Sequence, residues 1–581
     1  MYRSIGITLL GAALLVGCGS TGPGSSTGPT PGPGPGASVV PAQDYEAAKS
    51  AFGPPSADAS SKGQWSTLIG NWPVLAIHTT LLPDGTVMSF GGNYYPDWAN
   101  YAGKSGVPYN NQIDLWNPAN NTHTPMNFQG SAIFCGGHTL LADGRLLIAG
   151  GDDLSKLFRH RSAEAGIKDT NIYDYRTKKW TKVASMSEFR WYPTTTTLPN
   201  GDVLAVAGNS TVPQGQKLGA GTFAETPEVY NPTSNTWRRL DGAKAQTDFY
   251  PWLFVASNGQ VFNAGPDKDE VGWIGTGGAG SWTPAPPPNK VRRDYGTAVM
   301  YDTDKVLVLG GGGSDERDNS PTSANRISPT NHAIGIDLSG GTAQYTTFAP
   351  MQYKRRFHNA TLLPDGSVLV TGGTQAYGFN NAKYPPDDPE NAAKAGQDAT
   401  VKIPELWNPV SKSWTSLAPM TVERLYHSTA ILLPDATVLV SGGGACTDGD
   451  PEYSGCPDEK QQNAGYDKYR NAQVYRPPYL FKGERPSIQG VSKAVIDYGD
   501  TFEVTTTDAA QIGKATLIRL GSVTHSFDMN QRISTLDIVG RSGGTLTLRA
   551  PGSPNLAPPG QYMLFILKNG VPSVSRIVTL K

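Results

Sequence analysis

Apolar residues in this chain come in short bursts that break on a polar turn and then resume. The turns are Pro83-Asp84-Gly85, Ala142-Asp143-Gly144, Pro199-Asn200-Gly201, Ser257-Asn258-Gly259, Pro364-Asp365-Gly366 and Pro434-Asp435-Ala436. Asp-Gly and Asn-Gly between apolar stretches are the strongest short-range hairpin signal, because a positive φ costs little there. The second stretch of most units runs into a glycine pair, at 91–92, 150–151, 310–311, 372–373 and 442–443, which lets neighbouring backbones come close. A third stretch follows, as in Leu115-Trp116-Asn117-Pro118, Tyr230-Asn231-Pro232 and Leu406-Trp407-Asn408-Pro409, with Tyr173-Asp174-Tyr175 as a variant. The fourth carries a tryptophan: Trp180, Trp237 or Trp414. A weaker copy runs from Ala298 through Asp302 to Gly310-Gly311.

Four-stranded units recurring every ~40–60 residues describe a β-propeller of the kelch type. The repeat predicts seven blades, with six or eight as the alternatives. Gln64-Trp65-Ser66-Thr67-Leu68 reads as a last strand without its blade, and the seventh unit, ending near Tyr475, lacks one. Pairing them would close the ring and remove both edges. Helix is expected only near 43–52 and 389–396. Past Tyr479–Pro486 the unit disappears, and short alternating strands at 501–506, 514–520, 545–548, 562–568 and 576–581 suggest an immunoglobulin-like sandwich. The expected fold is all-β: a propeller over 46–484 and a C-terminal immunoglobulin-like domain over 485–581.

Composition narrows the partners. Net charge is −1 with 17% charged residues, and no basic run appears, so a nucleic-acid partner has no electrostatic footprint. Residues 1–17 read as a secretory signal, with Arg3 ahead of an apolar run too short for a permanent span. Leu15-Val16-Gly17-Cys18 resembles the lipobox of bacterial lipoproteins, and 18–45 is a Gly/Ser/Thr/Pro-rich tether. These features predict an exported lipoprotein held by its N-terminus at the outer membrane or cell surface; a plain cleaved signal would make it secreted. Cys446 and Cys456 lie ten residues apart and could close a small disulfide. Cys135 then has no thiol to pair with, so it is either buried and inert or chemically used.

The turn serves as a ruler. Eight residues before the turn Asp or Asn stand Cys135, Tyr192, Tyr250, Phe357 and His427. Equivalent positions on repeated blades lie at equivalent places in the ring, so these side chains would converge on one mouth of the channel, where function normally sits. A thiol, phenols and an imidazole at one mouth suggest a metal site. Imidazole and phenolate suit Cu(II), although spacing alone does not choose copper over iron or zinc. His78 and His138 fall inside strands and are expected to stabilise their blades; His358, beside Phe357, is expected at the mouth.

These residues resemble the galactose oxidase and glyoxal oxidase group of copper-radical oxidases. The match rests on Phe134-Cys135-Gly136-Gly137-His138, Arg190-Trp191-Tyr192-Pro193-Thr194, Arg424-Leu425-Tyr426-His427-Ser428 and Val523-Thr524-His525-Ser526. The resemblance implies one copper ion, with Tyr192, His427 and His525 as equatorial ligands and Tyr426 as the axial one. It implies that Tyr192 is joined through its ring to Cys135 by a thioether and holds a tyrosyl radical. Tyr426 would be the base that takes the substrate hydroxyl proton. The implied protein is a monomeric oxidase turning a primary alcohol or simple aldehyde and O2 into oxidised product and H2O2. No tryptophan follows Tyr192 to cover the cross-link as one does in galactose oxidase; Trp191 precedes it instead. No arginine aligns with that enzyme's sugar-binding one, Arg292 and Arg293 being only nearby, and Arg190-Trp191-Tyr192 is closer to the glyoxal oxidase branch. The competing expectation is a catalytically inactive kelch propeller that binds glycan or protein at the cell surface.

Overall fold

The computed structural model describes residues 52–581, apart from 92–110, 153–165, 212–221, 246, 248, 268–269, 288–290, 313–327, 378–381, 387, 389 and 444–468. The signal, Cys18, the tether and the Cys446–Cys456 pair lie outside these residues. Seven sheets of the expected four-stranded kind make the propeller. The closing strand forms as the pattern predicts: Gln64–Trp65 pairs antiparallel with Tyr475–Arg476 on blade seven. The Trp65 indole donates to Ala418 O at 2.8 Å, and Gln473 donates to Ser66 O at 3.1 Å. Little helix is present among the described residues, and 392–394 is a single 3-10 turn.

Each turn is built by its own side chain. The Asp or Asn accepts the backbone N–H two residues on, at 3.0 Å for Asp84, 3.1 Å for Asp143 and 2.9 Å for Asp365. The next residue then takes a positive φ, 82° at Gly85 and 93° at Gly366. Ala436 adopts 67° in the same place, a strained position for a residue with a Cβ.

The C-terminal domain, with strands from Gly490 to Leu580, packs on this turn face. Lys514 donates to Asp365 O (2.7 Å), Thr516 to Pro364 O (3.0 Å), Gln561 to Ala142 O (3.2 Å) and Arg485 to Asp435 O (2.7 Å). From it a hairpin, Ser522–Thr524 and Phe527–Asp528, enters the channel. Its first strand pairs with the innermost strand of blade one, Thr80 opposite Ser522 and His78 opposite Thr524. Blade one thereby becomes a six-stranded sheet that belongs to both domains.

Candidate metal centre

The residues that the ruler picks out share one backbone state. Cys135 (φ 60°), Tyr192 (66°), Tyr250 (47°), Phe357 (61°) and His427 (67°) all sit in the left-handed region. Such conformations cost of order 1 kcal/mol or more for bulky residues and persist only where the surroundings hold them. Tyr295 (53°) joins them on blade five. Its blade carries a register shift between Met300 and Asp302 and no Asp-Gly turn, so counting from the turn misses it. The ring is sewn blade to blade: Tyr192 N–H donates to Cys135 O (3.0 Å), Tyr250 N–H to Tyr192 O (3.0 Å) and Phe357 N–H to Tyr295 O (2.8 Å).

A second recurrence, unrecognised in the sequence, grips the same turns from behind. Buried arginines just ahead of the ring residues reach the glycine or alanine carbonyl that ends the second strand. Arg190 donates to Ala207 O (2.8 Å), Arg293 to Gly310 O (2.9 Å), Arg355 to Gly372 O (2.7 Å) and Arg424 to Gly442 O (2.7 Å). Arg190 and Arg355 also pair with the buried carboxylates of Glu228 and Glu405. Gly372, at φ 72°, has no room for a side chain: a Cβ there would lie 2.4 Å from Arg424 O.

The hairpin tip completes the centre. His525 (φ 47°) and Ser526 (φ 72°) form a two-residue turn of the primed kind. The Asp528 carboxylate holds it, accepting from the N–H groups of Ser522, Asn530 and Gln531, each at 2.9 Å. Thr524 Oγ1 donates to Ile77 O (3.0 Å), so at 2.6 Å from His525 Nδ1 it must accept. That assignment puts the His525 proton on Nδ1 and leaves Nε2 with its lone pair, 3.0 Å from the Tyr192 hydroxyl. The Tyr192 and Tyr426 hydroxyls share a hydrogen bond. The His427 ring stacks on Tyr426 with centroids 3.8 Å apart and stands edge-on to His525 at 4.6 Å. Cys135, Tyr192, Tyr426, His427 and His525 are all buried, and Cys135 is in no disulfide.

Aromatic packing fixes the Tyr192 ring. Trp191 stacks on one side (3.8 Å, 21°) and Tyr250 stacks on it at 4.7 Å, with Phe249 edge-on at 5.4 Å. The residue before Tyr192 thus supplies an indole cover in place of a downstream tryptophan. Half-buried Phe134 and Tyr295 lie at the same place, against His427 and Tyr426. Arg292 is engaged by Asp294 and Asp267 at 2.7 and 3.1 Å, and Arg293 points into its blade. His358 departs from expectation: it is buried in its strand beside Gly310 and Arg355. His78 and His138 also depart, because both face the channel and His78 accepts the Cys135 N–H.

Electrostatics keep the donor set neutral. Burial pushes the Tyr192 phenol well above its ordinary value, with Cys135 and Tyr426 adding to the effect. Burial also pushes the His525 imidazole well below 6.5, and His427 and His78 lower it further. A cation would invert this logic at the phenols, favouring phenolate, while the neutral imidazoles already suit it. Among the described residues no cluster of three or more His, Cys, Asp or Glu is arranged for a metal, so the set depends on its phenols. Two phenol oxygens and two imidazoles, without a carboxylate, fit copper better than calcium or magnesium.

The family model described as "Galactose oxidase-like, Early set domain" matches residues 485–580. Galactose oxidase of Gibberella zeae is 29% identical over 472 residues, 77% of this chain. The chain spans only 60% of that relative's length. Aldehyde oxidase GLOX of Vitis pseudoreticulata is 25% identical over 566 residues, covering 90% of this chain and 98% of its own. A solved structure described as a novel fungal alcohol oxidase with catalytic diversity among the AA5 family, in complex with copper, aligns at TM-score 0.71 and 26% identity. That alignment covers 89% of this chain and 99% of the other. With its seven blades, the C-terminal domain on their turn face and this donor set in the channel, the chain is similar in sequence and fold to galactose oxidase, aldehyde oxidase GLOX and that copper-bound alcohol oxidase.

Proposed function

We propose that the protein oxidises a primary alcohol, or a simple aldehyde as its hydrate, with dioxygen as acceptor and hydrogen peroxide as co-product. The balance is RCH2OH + O2 → RCHO + H2O2, or RCH(OH)2 + O2 → RCOOH + H2O2. The observation that carries this reading is the meeting of the Tyr192 and Tyr426 hydroxyls and His525 Nε2 at one buried point, with Cys135 in the same buried cluster as Tyr192. Tyr192, Tyr426, His427 and His525 would hold copper, which when bound supplies a one-electron acceptor and Lewis acidity at a position left for substrate. The second electron is assigned to Tyr192, whose ring, once joined to Cys135 by a thioether, is easier to oxidise than a plain phenol. Tyr426 Oη, hydrogen-bonded to Tyr192, takes the substrate hydroxyl proton. Trp191 and Tyr250 stack on the buried Tyr192 ring and shield it from water.

The aromatic rim of Phe134, Phe249 and Tyr295 supports a small, weakly polar substrate. Arg292, already neutralised by two carboxylates, does not support recognition of an anionic one. The signal and lipobox sequence support an exported enzyme tethered through Cys18. The deciding experiment loads the full chain with copper in air, confirms a Cys135–Tyr192 cross-linked peptide by mass spectrometry, and measures peroxide from a panel of primary alcohols and aldehydes. Peroxide release that vanishes in Tyr192→Phe supports the oxidase. A cross-linked protein that yields none with any substrate points to a binding role.

A further inference from the structure

Two fully buried imidazoles have no part in the reaction above, yet they touch its machinery. His78 begins the innermost strand of blade one, and His138 lies in that of blade two. Cys135 N–H donates to His78 Nε2 at 3.1 Å. A neutral His78 must then carry its proton on Nδ1, which donates to His138 Nε2 at 3.0 Å. His138 in turn carries its proton on Nδ1, 2.5 Å from Ser522 Oγ on the C-terminal hairpin, and Ser522 bonds Thr80 at 2.8 Å. Burial holds both rings neutral, lowering His138 to about 3 and His78 well below its ordinary value. The chain of donors and acceptors therefore runs one way, from Cys135 to the C-terminal domain.

Cys135 is gripped on both sides. Its N–H is fixed by His78 and its carbonyl accepts the Tyr192 N–H, while its φ of 60° is one that an L residue avoids without support. His78 stays in place because Phe90 stacks on it with centroids 4.4 Å apart.

We propose that His78, backed by His138 and Ser522, positions Cys135 for its thioether bond to Tyr192, an inference that rests on the oxidase reading above. In that step the Cys135 Sγ–H bond and a Tyr192 ring C–H bond break and a carbon–sulfur bond forms. The two hydrogens leave as two protons and two electrons to dioxygen, giving one hydrogen peroxide. His78 and His138 are positioning residues; neither touches substrate. Without the acceptor at His78 the left-handed turn relaxes and carries the thiol away from the ring.

The test uses the full chain, purified copper-free, then given copper(II) in air, with the cross-linked peptide followed over time by mass spectrometry. His78→Gln places an amide oxygen where Nε2 now lies, and His78→Asn places it at Nδ1, out of reach of Cys135. The expected result is a His78→Gln rate close to wild type and a His78→Asn rate slower by roughly tenfold or more, as for a buried donor left without a partner. Melting temperature and bound copper are read for each variant. Equal rates in the two variants, or rates that follow melting temperature instead of side-chain reach, overturn the proposal. A wild-type chain that never forms the bond overturns this inference and the cross-link reading together. A wild-type bond with equal variants overturns this inference alone.

Discussion

At the centre the Tyr192 and Tyr426 hydroxyls share one hydrogen bond, and Tyr192 packs in the same buried cluster as the Cys135 thiol. The proposed reaction assigns the electron to Tyr192 and the proton to Tyr426. Tyr426→Phe should lower kcat/KM by about 10²–10⁴-fold, the range for losing a positioned proton acceptor. It should leave the Cys135–Tyr192 cross-link intact, since neither partner changes. Peroxide kinetics and peptide mapping on one preparation check both halves, and a missing cross-link in this variant would assign Tyr426 to a different step. Cys135, Tyr192 and His427 were legible in the sequence because a fixed count from a chemically obvious turn finds them. His525 was legible only through resemblance, because a residue about 50 positions beyond the last blade, from another domain, has no periodic relation to the ruler. His78 misled because burial in a strand looks alike whether the side chain faces its own blade or the channel.

Between the residues and the ring stand the elements that carry them: an innermost strand, a left-handed entry residue and an arginine behind it. The arginines recur like the turns do, yet they escaped notice because their partners, the carbonyls at 207, 310, 372 and 442, lie across a hairpin instead of along it. Blade five escaped the ruler because Thr303, and not an Asp or Asn, stands eight residues after Tyr295. Arg355 gives a direct measure of this support. It contacts Glu405, Gly372 O and Ile403 O, at 2.6–2.8 Å, with both charged side chains buried. Arg355→Met leaves Glu405 charged in the interior with only the Gln352 and Tyr353 N–H groups as donors, at a cost of about 3–5 kcal/mol. Urea unfolding should show that loss, and Arg355→Met/Glu405→Leu should recover most of it. A single variant within experimental error of wild type would mean that the pair does not hold the turn.

Across the whole molecule, two closures make the channel a fixed cavity. Gln64–Trp65 seals blade seven, and the C-terminal hairpin seals blade one from inside. The first was foreseeable from a missing strand. The second was not, because a hairpin from one domain pairing inside another leaves no composition signal. The hairpin covers His138, and the packing between blades five and six buries His358, which gives stability a pH dependence with a definite sign. Burial holds His138 and His358 at about 3, against 6.5 when unfolded. Above pH 6.5 neither state binds a proton at these rings, so they have no effect. Below it the unfolded chain takes up protons and the folded one does not, so stability falls as pH drops, until it levels off near pH 3. Each ring contributes a slope of about 1.4 kcal/mol per pH unit within that window. Copper-free protein unfolded by urea at pH 7, 6 and 5 should lose stability chiefly between 6 and 5. His358→Leu, which removes one titrating ring and no described channel contact, should reduce the slope by about 1.4 kcal/mol per unit. A slope unchanged by that substitution would mean that His358 protonates in the folded state, and that the packing between blades five and six admits water.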